Sequence, residues 1–244
     1  MKLKIWHQNS GSEKGRFEIY DIEIDESLSL LETIDILNEQ RVKQNKDPIA
    51  FDSDCREGIC GACGLVIDGI AHGPLPATTT CQLHMHHIKD RATVTVEPFR
   101  ARHFPIIKDL MVDKSALEEI AKAGAYISVK TNAPPDANAV SIPKKNADLA
   151  FDFAACIGCG ACVASCVNAA AHLFAGSKIA HYLALPQGHP ERAKRVSNIV
   201  NTLDKLKFGS CSNDGTCEAT CPKEIKTSAI AALNREFARA LFTK

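Results

Sequence analysis

Residues 156–166 have the sequence CIGCGACVASC, in which four cysteines follow the spacing C-x2-C-x2-C-x3-C. Thiolates at such intervals bind an iron–sulfur cluster, because the chain between them can wrap around a soft inorganic core. Residues 211–222 repeat the run as CSNDGTCEATCP, with Asp214 at the position of the second cysteine. The repeat predicts a duplicated unit that holds two clusters.

The two runs predict two clusters that exchange ligands. In two-cluster ferredoxins the fourth cysteine of each run binds the other cluster. Asp214 is then either a carboxylate ligand that keeps a fourth iron or an exposed loop residue, and we favour a three-iron cluster. The predicted [4Fe–4S] ligands are Cys156, Cys159, Cys162 and Cys221, and the predicted [3Fe–4S] ligands are Cys166, Cys211 and Cys217.

A third cysteine group lies in the first half of the chain, where residues 55–64 read CREGICGACG. The spacing C-x4-C-x2-C with a distant fourth cysteine matches the plant-type ligand set of a [2Fe–2S] cluster, and glycines let backbone N–H groups approach its sulfides. Zinc also accepts four thiolates, but the interleaved glycines favour iron. A Rieske centre needs two histidines, and only His84 lies nearby. The predicted ligands are Cys55, Cys60, Cys63 and Cys81.

The composition is that of a globular protein with redox chemistry. The 244 residues are 45% hydrophobic and 24% charged with no net charge, which excludes a strongly basic nucleic-acid binder. We expect no signal peptide and no membrane span, because no run approaches about 20 apolar residues. Eleven cysteines at short spacings then indicate metal binding rather than disulfides. No nucleophile–base pair, phosphate loop or carboxylate pair predicts a catalytic residue.

Hydrophobic periodicity predicts a mixed first half and a helical second half, which meet near residue 105. The first half contains a hairpin of strands 3–6 and 17–24, a helix 28–43, a strand 64–67 that turns at Asp68-Gly69, and a strand 93–96. In the second half a capping box at Ser115 and Glu118 begins a helix that stops at Gly124. An extended loop follows over 131–145, then helices over 160–174, 190–206 and 225–241.

These motifs together resemble one family. Residues 55–64, 156–162 and 221–223 are similar to those of the iron–sulfur subunit of succinate dehydrogenase and fumarate reductase, the respiratory complex II. The resemblance implies an α+β protein of two domains. Residues 1–105 are expected to form a β-grasp, plant-type ferredoxin domain. Residues 106–244 are expected to form an all-α domain like the bacterial dicluster ferredoxins.

The resemblance also implies an electron relay within an oxidoreductase complex. In that family the subunit lies between a flavoprotein, whose FAD interconverts succinate and fumarate, and a membrane anchor that handles quinone. Electrons pass through [2Fe–2S], [4Fe–4S] and [3Fe–4S] clusters in turn. The long loop 71–81 resembles the branch with one haem-bearing cytochrome b anchor. We expect a peripheral subunit on the cytoplasmic side of the membrane, held there by its anchor.

The surroundings of Cys166 bear on where electrons leave. Ubiquinone-linked members have a proline after this cysteine and a tryptophan near the quinone, whereas this chain has Val167 and no tryptophan there. Ser212 stands where those members have a histidine. We therefore expect electrons to pass to a haem, with His172 as the one remaining donor to a quinone. The alternatives are a subunit of another flavin-linked dehydrogenase, a free soluble ferredoxin and a zinc-binding interaction module.

Overall fold

The first half of the chain folds around a five-stranded sheet. The computed structural model describes residues 1–23, 25–128 and 142–242. The strands are β1 (Lys2–His7), β2 (Arg16–Asp21), β3 (Leu65–Ile67), β4 (Ile70–Ala71) and β5 (Thr93–Pro98). Their order is β2-β1-β5-β3-β4, with β1 and β5 parallel and the other neighbours antiparallel. The predicted hairpin is confirmed, although β2 ends at Asp21 and Ile24 lies outside the described residues.

A single helix, α1 (Leu30–Lys43), packs against this sheet. Ser29 caps it by a reciprocal pair of bonds: the Ser29 hydroxyl accepts from the Glu32 N–H, and the Glu32 carboxylate accepts from the Ser29 N–H. The predicted start at residue 28 is two residues too early, because the capping box begins the helix at Leu30. Leu30, Leu31 and Ile34 are fully buried, and they close the core of the first half.

The junction between the halves is a packed element. Strands β6 (Ile106–Lys108) and β7 (Met111–Val112) form a small hairpin that the sequence analysis did not predict. Its turn residue Asp109 is buried and bonds to the backbone N–H groups of Gln8 and Ala50. Phe104 is also buried, within the core of the second half. The predicted boundary near residue 105 therefore falls on a segment that contacts both halves.

The second half is helical. Its helices are α2 (Ser115–Gly124), α3 (Lys144–Ala154), α4 (Ala161–Ala164), α5 (His172–Leu183), α6 (Arg192–Lys205), α7 (Thr216–Ala219) and α8 (Ser228–Leu241). Helix α5 packs against α3 and α8, and α6 packs against α2 and α8. The predictions of α2, α6 and α8 are confirmed, with ends that differ by up to three residues. None of the helices within the described ranges is long and apolar enough to cross a membrane.

Three predictions for this half are wrong in detail. The single helix over 160–174 is two helices, α4 and α5, because the chain turns between them at Ala169, whose φ is 50°. The capping box at Ser115 does not form, since the Ser115 N–H donates to Asp113 instead. Helix α3 begins at Lys144, inside the predicted loop over 131–145. Residues 131–141 of that loop lie outside the described residues.

Candidate iron–sulfur sites

The first cysteine loop directs backbone N–H groups at its thiols. The N–H groups of Glu57 and Ile59 lie 3.3 and 3.4 Å from Cys55 Sγ, and the Ala62 N–H lies 3.4 Å from Cys60 Sγ. The two bonds to Cys55, with that from Glu57 the stronger, lower the pKa of its thiol to about 7. Donors aimed at sulfur stabilise a thiolate, which is the form that binds iron.

The other two thiols of this set lie beneath the loop. Cys63 and Cys81 are buried, and Cys81 Sγ lies 3.2 Å from the Thr79 hydroxyl. Burial raises the pKa of the Cys63 thiol to about 12, so this group is protonated at neutral pH until a metal replaces its proton. The structure therefore brings the four predicted [2Fe–2S] ligands together, with Cys60 exposed on the loop and Cys81 on a separate segment beside Cys63.

The thiols of the second predicted set line one small cavity. Its wall contains all four thiols of that set, Cys156, Cys159, Cys162 and Cys221, and the remaining lining is mostly glycine and apolar side chains. The Ile225 N–H lies 3.4 Å from Cys221 Sγ. Burial raises the pKa of Cys159 to about 12 and that of Cys162 well above its usual value. Cys221 thus joins the first run although it belongs to the second.

A second small cavity is lined by the thiols of the third set, Cys166, Cys211 and Cys217, and also by Asp214. The two sites differ in the number of thiols that line them, which is four in the second site and three in the third. Asp214 is exposed at the rim, where its carboxylate accepts from the Thr216 N–H at 3.0 Å. This Asx turn gives Asp214 a structural role at the start of α7. His172 also lines the cavity, and its buried Nδ1 has no hydrogen-bond partner.

The short helices α4 and α7 are related as two copies of one unit. Each begins after a glycine in the left-handed conformation: Gly160 has φ 89° and Gly215 has φ 78°. Each ends with a hydroxyl residue before its run's last cysteine, and these hydroxyls, Ser165 Oγ and Thr220 Oγ1, lie 2.9 Å apart. The helices therefore meet at the point where the two runs exchange their fourth cysteines.

The thiol sets fit multi-iron cores in donor type and arrangement. All eleven cysteines are free thiols. The thiols line cavities or a loop. In the described part of the chain, no three His, Cys, Asp or Glu side chains converge closely enough to hold one metal ion. Sequence reasoning found these thiols from their spacing, but it gave no signal for Lys114, which lies between the first and second sites.

Two models of known families match the chain, each over a different cysteine region. A family model described as a 2Fe-2S iron-sulfur cluster binding domain matches residues 2–119. A second, described as a 4Fe-4S dicluster domain, matches residues 152–225. These matches do not support the zinc alternative. The fold and its thiol sites define a two-module iron–sulfur protein, with a sheet module and a helical dicluster module.

Curated relatives of this chain show which kind of iron–sulfur protein it resembles. The chain is 29% identical over 204 residues to the succinate dehydrogenase iron-sulfur subunit of Bacillus subtilis, covering 82% of this chain and 76% of that one. It is 27% identical over 236 residues to the fumarate reductase iron-sulfur subunit of Wolinella succinogenes, covering 93% and 92%. The chain belongs to the family of iron–sulfur subunits of succinate dehydrogenase and fumarate reductase.

A solved structure supports the same fold. A chain of the Mycobacterium smegmatis Sdh1 complex in the apo form aligns with a TM-score of 0.69. The alignment covers 98% of this chain and 95% of that chain at 22% sequence identity. The α+β prediction, a sheet module followed by a helical module, is confirmed.

Proposed function

We propose that this chain relays electrons between the FAD of a flavoprotein subunit and a membrane anchor, within a succinate dehydrogenase or fumarate reductase complex. The observation that carries the proposal is the order of the thiol sites in space. The first loop contacts the second site through Gly61, and the second and third sites meet at Ser165 and Thr220. Iron–sulfur clusters supply one-electron carriers, and the chain holds their sites in series.

The proposed ligand sets consist of the thiols that line each site. The first loop holds [2Fe–2S] through Cys55, Cys60, Cys63 and Cys81. The second site holds [4Fe–4S] through Cys156, Cys159, Cys162 and Cys221, and the third site holds [3Fe–4S] through Cys166, Cys211 and Cys217. Asp214 is left out of the third set because its side chain is exposed and one carboxylate oxygen accepts from the Thr216 N–H.

The position of the chain in the complex follows from the order of its sites. The exposed tip of the first loop, with Cys60, is proposed to face the flavoprotein. The third site is proposed to face a cytochrome b anchor on the cytoplasmic side of the membrane. The division into residues 1–105 and 106–244 remains part of the same proposal.

The exchange of fourth cysteines provides the first test. Cys221→Ser is expected to abolish the [4Fe–4S] EPR signal of the purified complex, and Cys166→Ser is expected to abolish the [3Fe–4S] signal. The two variants are matched controls, because each removes the last cysteine of one run. Iron content and the [2Fe–2S] signal measure how much folded module survives. The reverse pattern of losses would show that each run binds its own cluster.

The complex itself provides the test of the reaction. Isolated with its partners, it should reduce a quinone with succinate or oxidise a quinol with fumarate, and both directions should be assayed. His172→Ala is expected to leave quinone affinity nearly unchanged if electrons leave through a haem. A complex that reduces its clusters with another flavin-linked substrate, and not with succinate, would overturn the assignment.

A further inference from the structure

Lys114 lies between the first and second thiol sites. It precedes helix α2, and its half-buried ammonium donates to the carbonyl oxygens of Gly61 at 2.9 Å and Ala62 at 3.1 Å. Both carbonyls belong to the segment that connects Cys60 and Cys63. Lys114 therefore holds the part of the first loop that joins two proposed ligands of that loop.

The same segment touches the second site through its backbone. A Cβ atom added to Gly61 would lie 2.5 Å from the Ile157 carbonyl oxygen and 3.1 Å from both the N and Cα atoms of Cys159. Gly61 has φ 78°, a conformation that side chains disfavour. The two cysteine loops are thus in direct contact, and any side chain at position 61 would separate them.

The charge of Lys114 lies close to the contact between the two cysteine loops. No ion pair to Lys114 is found within residues 1–23, 25–128 and 142–242. Its field still reaches Asp52, His72 and Cys159, opposing the effect of burial on the pKa of Asp52 and of Cys159 and adding to it at His72. A cation at the N-terminus of a helix is unfavourable to the helix dipole, so stabilisation of α2 does not explain why a lysine is present at position 114.

We infer that Lys114 is a positioning residue for electron transfer between the [2Fe–2S] and [4Fe–4S] sites: its ammonium holds the Gly61-Ala62 segment of the first loop in place against the second site, and its charge stabilises the reduced form of both. The inference rests on the proposed electron relay. An added electron makes each site more negative, and a fixed cation near both sites lowers the energy of that state.

The test is a redox titration of the complex, followed by EPR. Lys114→Met is expected to shift the reduction equilibrium of both centres roughly tenfold toward the oxidised form, about 59 mV for one electron. Lys114→Arg keeps the charge and should leave both reduction potentials at their wild-type values. Lys122→Met removes an exposed lysine from the same helix and should change neither. A shift at only one centre, or at none, would overturn the inference.

Gly61→Ala tests the contact separately from the charge. The added methyl group should push the loops apart and weaken the magnetic interaction between the two reduced centres, while Lys114 retains its charge. This variant also covers the case in which Lys114→Met fails to fold. An unchanged interaction would show that the contact does not set their separation. Absence of either centre from the wild-type complex would instead contradict the proposed function.

Discussion

At the scale of single residues, the thiols of the first loop differ in their readiness to react. Backbone N–H groups lower the pKa of Cys55 to about 7, whereas burial raises that of Cys63 to about 12. Since the thiolate is the nucleophile, we expect iodoacetamide to modify Cys55 first in the cluster-free chain, at a rate that rises as pH passes through 7.

Mass spectrometry of the alkylated chain at several pH values measures this difference. Cys63 is the internal control, because it should stay unmodified until the chain unfolds. Equal labelling of both thiols across the pH range would show that the loop does not hold this geometry without its cluster.

The cysteine spacing was informative at this scale, and isolated charges were not. Thiols at fixed intervals predict ligands because the chain between them determines how closely they can approach one core. Lys114 lies outside every such motif, and its role depends on Gly61, which is distant in sequence. Asp214 shows the same limit, since its bond to the Thr216 N–H became visible only in the folded loop.

At the scale of elements, Arg195 joins helix α6 to the end of α2. Its guanidinium, buried among three backbone carbonyl groups, donates to Gly124, Tyr126 and Gly188 at 2.7–3.0 Å. Arg195→Met would leave these acceptors without partners, at a cost of roughly 3 kcal/mol in the free energy of unfolding.

Urea unfolding followed by circular dichroism measures this loss. Lys205→Met is the matched control, because Lys205 is exposed in the last turn of the same helix. We expect the control to change the free energy of unfolding by less than about 0.5 kcal/mol. Equal stability of the two variants would mean that water replaces the guanidinium at α2.

Helices whose apolar residues recur on one face could be predicted from the sequence. Helices whose ends depend on the cysteine sites could not. Helix α1 has three buried leucines and the buried Ile34 at helical spacing, so its predicted extent is nearly correct. The apolar run over 160–174 looked equally helical. It is divided because α4 must end before Cys166 for that thiol to face the other cavity.

At the scale of the whole molecule, Asp109 holds the β6–β7 hairpin at the junction against the first module. Burial alone would raise the pKa of its carboxyl group, but bonds from His7 and from the N–H groups of Ala50 and Gln8 outweigh burial and lower it. A group with a lowered folded pKa stabilises the fold above its unfolded pKa, about 4, and this contribution is lost as pH falls through the folded pKa.

Asp109→Asn should therefore lower the free energy of unfolding by about 2 kcal/mol near pH 7 and weaken its loss below about pH 4. Chemical unfolding at a series of pH values measures both effects. Asp47→Asn serves as the control, since Asp47 is 91% exposed in its side chain and close to Lys108 of the same hairpin. A pH profile for the Asp109→Asn variant that parallels the wild type would rule out this role.

The exchange of fourth cysteines has a consequence for biogenesis. The first loop has all its thiols by residue 81, so a ribosome could expose a complete site while most of the chain is unmade. Neither cavity of the helical module is complete until the segment that ends at Cys221 has emerged. A scaffold that delivers iron and sulfide during translation would therefore serve the two modules at different times. Translation arrested before residue 211 would yield a chain competent for one delivery only.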